Sequence, residues 1–292
     1  MARQKYALVT GASSGIGYEV SIALSKRGYK VFGCAPKSAV WEMEPLEEYG
    51  VVPYACDITD VESIKQFAQF IKENTEGGRL DILYNNAGIY TSGPACEIPE
   101  ESLEKVFKVN VFGHIYMTKY MVDYVIATKG SIVFTSSVAG RIQLSWSSAY
   151  CASKAAIDQY ALVLHGEMKP FGVRVHSIIT GGVDTAICDL SQISSLLGSR
   201  YDVDGVYDSI RASARMSRDR PYPVKSYAEG VVAKITNKRD VFNIYKGRLA
   251  YTLNFLGRFL PLWFSELCIM IYFKQLSVLN KVKKLARKKK SD

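Results

Sequence analysis

An apolar run, Tyr6–Thr10, passes without a break into Gly11-Ala12-Ser13-Ser14-Gly15-Ile16-Gly17, and a helical pattern follows. No other feature of the 292-residue chain restricts its fold as much. A strand that ends in a glycine-spaced turn and opens directly into a helix presents the free N–H groups of the first helical turn, where the helix dipole favours an anion. The spacing G-x-x-x-G-x-G gives each glycine a task. Gly11 permits the tight turn, Gly15 lets the backbone approach a pyrophosphate, and Gly17 lets the helix sit close to the sheet. Ser13, Ser14 and Ile16 complete this cradle.

Short apolar runs continue to alternate with longer amphipathic ones. Strand candidates are Lys30–Cys34, Val51–Ala55, Leu80–Tyr84, Ser131–Thr135 and Val173–Ile178. Between them, Ile64, Phe67, Ala68 and Ile71 share one helix face, and Thr59 with Glu62 reads as the capping box of that helix. Such alternation means parallel βαβ units, hence an α/β, doubly wound parallel sheet of Rossmann type with right-handed crossovers. With 48% hydrophobic and 22% charged residues the chain can bury an ordinary core. Its six cysteines form no C-x-x-C pair, so free thiols are expected rather than a disulfide frame, and no metal site is expected.

Three stretches depart from this pattern. Residues 186–226 are rich in Ser, Asp, Arg and Tyr with weak periodicity, and read as a substrate loop within a domain spanning 1–248. Residues 249–280 form an apolar, aromatic helical segment interrupted by Arg258, Pro261 and Glu266. No run in it is long enough for an ordinary single span. The segment precedes a basic tail, 281–292, that holds seven lysines and arginines between Lys281 and Lys290. Apolar aromatic helix followed by polybasic tail fits an interfacial membrane anchor, and the alternative is a helix pair packed on the core or on a second subunit. The tail supplies most of the net charge of +9; no nucleic-acid motif accompanies it, so nucleic acid is not an expected partner. The opening Met1-Ala2-Arg3-Gln4-Lys5 shows no apolar stretch of a secretory signal.

At the cofactor end, an NAD-type site would place an acidic residue at the close of the second strand. Here Cys34-Ala35-Pro36-Lys37 stands there, and Lys37 suits a 2′-phosphate, which favours NADP(H). Asp57 after the third strand borders the expected adenine position, and Asn86 after the fourth strand faces the same edge. Gly11-Ala12-Ser13-Ser14-Gly15 also matches the G-x-S-x-G elbow of serine hydrolases, which would make Ser13 a nucleophile. That reading requires a histidine from among His114, His165 and His176, none of which lies in a supporting motif.

At the catalytic end, Tyr150 and Lys154 are four residues apart, which on a helix places them on one face about 6 Å apart along the axis. A tyrosine near pKa 10 is a poor acid–base group at neutral pH, and an adjacent ammonium stabilises the phenolate. A shift of about three units needs on the order of 4 kcal/mol. Ser137 closes a strand thirteen residues earlier, Asn85-Asn86-Ala87-Gly88 closes the fourth, and Asn110 opens a helix. All of these ends fall on the carboxyl edge of the sheet, beside the glycine turn.

In that order, TGASSGIG, NNAG, Asn110, Ser137 and Tyr150-x-x-x-Lys154, the chain resembles the short-chain dehydrogenase/reductase family over about residues 5–185. The resemblance implies Tyr150 as proton donor to a carbonyl oxygen. Lys154 would hold the nicotinamide ribose and lower the Tyr150 pKa, Ser137 would orient the substrate oxygen, and Asn110 would position a relay water. Val183 and Thr185 would meet the nicotinamide. One departure is Thr180-Gly181-Gly182 where the family has Asn-Pro-Gly, which is expected to loosen that loop.

Longer strings, Leu83–Gly88, Phe107–Ile115, Leu164–Phe171 and Ile179–Gly182, resemble a fungal branch of that family. The branch implies NADPH-dependent reduction of the ketone of 1-acyl-dihydroxyacetone phosphate to lysophosphatidic acid in phosphatidic acid synthesis. It also implies residence on the cytoplasmic face of the endoplasmic reticulum membrane and lipid droplets, and acylglycerol lipase activity has been ascribed to its G-x-S-x-G serine. Arg200, Arg211, Arg215, Arg218 and Arg220 are candidates for the substrate phosphate. Another lipid ketone, sterol or sphingoid, is the alternative substrate. Homo-oligomers are usual in the family.

Overall fold

The computed structural model describes residues 3–188, 196–215, 222–237 and 239–288. In chain order the elements are β1 (Lys5–Thr10), α1 (Gly15–Ser25), β2 (Tyr29–Ala35), β3 (Val51–Ala55), α2 (Val61–Asn74), β4 (Ile82–Asn85), α3 (Glu100–Phe107), α4 (His114–Ile126), β5 (Ser131–Ser137) and α5 (Ser148–Met168). There follow β6 (Arg174–Thr180), α6 (Val206–Arg215), α7 (Val224–Ile235), β7 (Asn243–Lys246), α8 (Ala250–Phe259), α9 (Leu262–Tyr272) and α10 (Leu276–Lys288).

The strands pair in parallel as one seven-stranded sheet in the order β3-β2-β1-β4-β5-β6-β7. The central strands are buried throughout, which is why they read as continuous apolar runs. Side chains alternate between two cores. Leu8, Phe32, Leu83 and Phe134 pack with Phe67, Met117 and Ile157 on one face. Val9, Val31, Tyr84 and Val133 pack with Val20, Leu24, Tyr227 and Val231 on the other. Chain order reverses between β1 and β4, so the crevice of this open sheet lies outside their carboxyl ends.

Several expectations change. The cap of α2 is Asp60, whose carboxylate accepts from the Glu62 N–H at 3.0 Å; Thr59 instead donates to Asp57, so there is no Thr59–Glu62 capping box. Asn110 does not open a helix. It sits in a π-helical turn, Lys108–Gly113, that joins α3 to α4. Such bulges recur at functional sites. The last strand, β7, is not among the strands expected from the sequence, because it has only four residues and no clear alternation.

The expected loop 186–226 contains α6, whose Val206 and Ile210 are buried against Trp146, Leu196 and Val278. This helix is amphipathic, with Val206, Ile210 and Ala214 recurring every four residues on its buried face, but the face is narrow and most of the remaining positions are polar, so the segment reads as polar. The basic stretch is not a separate tail from Lys281, because α10 carries it in helical form to Lys288; residues 289–292 lie outside the described residues.

The C-terminal helices pack on the core and also present an apolar face. Arg141, after β5, donates to Asn254 of α8 (2.9 Å), to Asn243 of β7 (2.7 Å) and to Asp158 of α5 (2.7 Å). A Cβ on Gly257 would fall 2.2 Å from the Arg141 carbonyl oxygen, so α8 meets that backbone directly. Ile269 and Phe273 are buried against Ile142, and Gln275 donates to Ser213 of α6 at 2.9 Å. Outward, Tyr251, Phe255, Phe259, Leu262, Trp263 and Ile271 are exposed. Among the described residues no single helix is long and apolar enough to cross a membrane; α9 and α10 pass that test only as a pair, bent by 105°.

Candidate active site

A cleft of about 1100 Å³ runs along the carboxyl edge of the sheet. Its lining includes Gly11, Ser13, Ser14, Gly15, Ile16, Asp57, Asn86, Ser137, Tyr150, Lys154, Val183 and Thr185. Residues of α1, β5 and α5 and of the loops after β1, β3, β4 and β6 thus meet in one space, slightly larger than the usual small-molecule site of about 300–1,000 Å³.

The glycine turn is built by close approach. Gly11 and Gly15 adopt positive φ, and a Cβ on Gly17 would lie 2.1 Å from the Gly11 carbonyl oxygen. Thr10 Oγ1 accepts from the Asn86 and Ala87 N–H groups at 2.9 and 3.0 Å, locking the ends of β1 and β4 together. The Asn86 amide donates to the Thr10 carbonyl at 3.0 Å and accepts from Thr135 at 3.1 Å. Asn86 therefore holds the turn in shape as well as lining the cleft. The turn ends at the N-terminus of α1, and Ser14 makes no side-chain cap there. Open N–H groups and a floor that tolerates no side chain fit a dinucleotide pyrophosphate. Thr185 closes over this floor, its Cγ2 lying 3.3 Å from where a Gly15 Cβ would be.

Lys37 is exposed and the lining ends one residue before it, at Pro36. It stands at the rim rather than in the cleft.

Tyr150 and Lys154 occupy the first turns of α5. The Lys154 ammonium lies 5.8 Å from the centre of the Tyr150 ring and donates to the Thr135 carbonyl at 2.8 Å. It is 2% exposed, and burial lowers its pKa from 10.5 to about 8. Tyr90 meets the Tyr150 ring edge-on at 4.9 Å, and its hydroxyl shares a hydrogen bond with Ser147 at 2.6 Å. Tyr90 is a residue of the site that carries no sequence signal; only the path of the loop after β4 brings it there.

Ser137 caps a 3₁₀ turn, Val138–Gly140, by accepting from the Ala139 N–H at 3.1 Å. Its own proton goes to the Thr180 carbonyl at 3.5 Å, the outer limit of a hydrogen bond, so it is readily redirected to a ligand. The Asn110 side chain is fully buried. It exchanges two 2.9 Å hydrogen bonds with the backbone of Ile89 and donates to Ser153 at 3.0 Å. Its amide thus fixes the loop after β4. A Cβ on Gly88 would lie 3.4 Å from Asn110 Oδ1 and 3.6 Å from Lys154 Nζ, so the glycine keeps open the space between those groups.

The Thr180-Gly181-Gly182 loop is not loose. Gly182 and Arg248 form an antiparallel bridge with hydrogen bonds of 2.9 and 3.0 Å, and a Cβ on Gly181 would sit 2.1 Å from the Arg248 carbonyl oxygen. Glycine is needed for that approach. The bridge brings Arg248 into the cleft lining, which sequence reading missed. Of the expected phosphate ligands, Arg200 pairs with Glu97 and Arg211 lies beside Asp208, and neither lines the cleft. The Arg215 side chain, Arg218 and Arg220 lie outside the described residues.

No histidine lines the cleft with Ser13. His114 is buried against the Ala87 carbonyl at 2.7 Å, with its pKa lowered to about 3 by burial; His176 is held by the Val241 carbonyl at 2.7 Å, and His165 lies 3.2 Å from Asp240. Ser13 thus has no histidine base, as the hydrolase reading requires.

Residues 5–192 match the model of the short chain dehydrogenase family. The chain is 40% identical, over 99% of its length and 97% of the relative, to the NADPH-dependent 1-acyldihydroxyacetone phosphate reductase of Saccharomyces cerevisiae. Among solved structures, a short-chain dehydrogenase from Streptomyces avermitilis superposes with a TM-score of 0.77 at 25% identity, covering 95% of this chain and 98% of that one. An actinorhodin polyketide ketoreductase with NADPH gives 0.69 at 25% identity, covering 84% and 97%. A family match over more than half of the chain, with a 40% identical relative along nearly its whole length, settles its kinship: the chain belongs to the short chain dehydrogenase family.

Proposed function

We propose that this oxidoreductase reduces the ketone of 1-acyl-dihydroxyacetone phosphate, with NADPH, to 1-acyl-glycerol 3-phosphate. The observation that carries the reading is the meeting of Ser137, Tyr150 and Lys154 with the glycine turn in one cleft. The 40% identical reductase from yeast supports the substrate and the choice of NADPH.

When bound, NADPH supplies the hydride that reaches the carbonyl carbon. The glycine turn, Asp57, Asn86, Val183 and Thr185 would hold it, with Lys37 at the rim offering a cation to the 2′-phosphate. Ser137 donates its proton to the substrate oxygen and fixes the carbonyl. Tyr150 gives that oxygen the proton that completes the alcohol. The Lys154 cation favours the phenolate that remains, and a water beside Gly88, near Asn110 and Lys154, returns the proton. Arg248, beside Gly182, supplies a cation for the substrate phosphate in place of Arg200 and Arg211.

The exposed aromatic face of α8 and α9 and the basic surface of α10 support residence at an anionic membrane surface, which we assign to the cytoplasmic face of the endoplasmic reticulum and lipid droplets.

The test is NADPH oxidation by the full chain with acyl-dihydroxyacetone phosphate in detergent. Tyr150→Phe should lower kcat by about 10²–10⁴ as a general acid is lost, while Ser13→Ala should retain the ability to reduce. Equal rates for a ketone lipid lacking phosphate would redirect the assignment to a sterol or sphingoid ketone. Ester hydrolysis without NADPH that required Ser13 would sink it.

A further inference from the structure

Beyond Ser137 and Tyr150 the lining of the cleft turns apolar, with Ile142, Leu144, Leu249, Leu253, Tyr272 and Phe273. Four of these six come from residues 249–273, outside the 5–192 region that the family model matches. This wall leads outward. Phe273 is 6% exposed and packs on Ile142, whereas its neighbour Tyr272 lines the cleft and is 41% exposed. Along the same helix, α9, Trp263, Leu267 and Ile271 recur every four residues and are exposed, as is Phe259 at the end of α8. The helix that follows, α10, exposes Lys281, Lys283, Lys284 and Arg287. An apolar face flanked by cations is complementary to an anionic lipid leaflet.

The wall is also fixed relative to the chemistry. Arg141 ties α8 to α5, the helix of Tyr150 and Lys154, and Gly257 seats α8 on the loop that follows Ser137.

We infer that α8 and α9 form an acyl-chain portal. The fatty acyl chain of the ketone lipid lies along Leu253, Phe273 and Tyr272 and passes onto the exposed face, so the ketone reaches Tyr150 while the rest of the chain stays in the lipid layer. The inference rests on the proposed reductase reading for the identity of the head group. It adds that the C-terminal helices are part of the substrate site, and that the occupant of their inner face is a long acyl chain.

Two measurements on the full chain test it. The first compares long-chain substrate in mixed phosphatidylcholine–phosphatidylserine vesicles with a soluble short-chain analogue. Leu253→Trp and Tyr272→Ala should each raise KM for the long-chain substrate at least tenfold more than for the analogue, with kcat for both changing less than KM. Trp263→Ser with Phe259→Ser, outside the cleft, should lower turnover of vesicle-borne substrate and leave turnover of the analogue as in wild type. Equal losses on both substrates from the cleft variants would show a merely structural wall and overturn the portal.

The second is photolabelling by a lipid ketone with a diazirine on its acyl chain, read by peptide mapping. Labels in 249–273 are expected, and labels confined elsewhere overturn the portal. Because labelling requires no turnover, a protein that reduces neither ketone but is labelled at 249–273 would lose the reductase reading and keep the portal.

Discussion

Lys154 carries two opposed demands. Burial lowers its pKa from 10.5 to about 8, so the folded protein holds this proton less tightly than the unfolded chain. Between those two values the unfolded state binds more protons, and stability rises with pH. The activity that needs the cation moves the other way and declines as pH rises through about 8. A pH series of kcat/KM beside one of the denaturation midpoint should show the two trends crossing; an activity limb that does not move in Lys154→Arg would exclude Lys154 as its origin. Lys37 lies at the rim, and its exposure limits any contact with a 2′-phosphate to about 1 kcal/mol, roughly fivefold in affinity. Lys37→Ala should therefore raise KM for NADPH by about that factor and leave KM for NADH alone. Equal changes for both cofactors would remove Lys37 from the site. The residues of the turn and of Tyr150-x-x-x-Lys154 were legible in the sequence because helical spacing and turn geometry are local. Tyr90 and Arg248 were not, since each is delivered by a loop whose path depends on partners far away in the chain.

At the scale of elements, Gly257 separates local preference from tertiary contact. In the interior of α8, alanine should be better than glycine by about 1 kcal/mol. The Arg141 carbonyl oxygen, 2.2 Å from the Cβ position, forbids it. Overpacking of this kind costs about 1–3 kcal/mol, so Gly257→Ala should lower the denaturation midpoint; a raised midpoint would mean that α8 is not held against that loop. The same contrast explains the expectations that changed. Thr180-Gly181-Gly182 reads as a flexible loop, yet Gly181 is present because the Arg248 backbone approaches it. The four-residue β7 exists because β6 offers it an open edge, and its own pattern is too short to announce it.

For the whole molecule, the sheet, the two cores and the cleft form one body, to which α8–α10 attach through Arg141, Ile269, Phe273 and Gln275. The basic face of α10 should make vesicle binding depend on salt, because charges beyond about 8–10 Å are screened at physiological ionic strength. Reversing Lys283 and Lys284 to glutamate should weaken binding to phosphatidylserine vesicles by about 1 kcal/mol or more per site and flatten the salt dependence in a flotation assay. Unchanged binding would place the membrane contact on the aromatic face alone. The sequence by itself determined the alternation of strands and helices, the glycine turn, the placing of Tyr150 and Lys154 on one face of α5 and the apolar, basic character of the C-terminus. All of these are written in spacings of a few residues, where backbone geometry leaves little choice. Only the tertiary structure decided that the C-terminal helices wall the same cleft, that Arg248 lines it while Arg200 and Arg211 do not, and that Ser13 has no histidine beside it. Those outcomes depend on close packing and hydrogen bonding between segments distant in the chain, which no local pattern encodes.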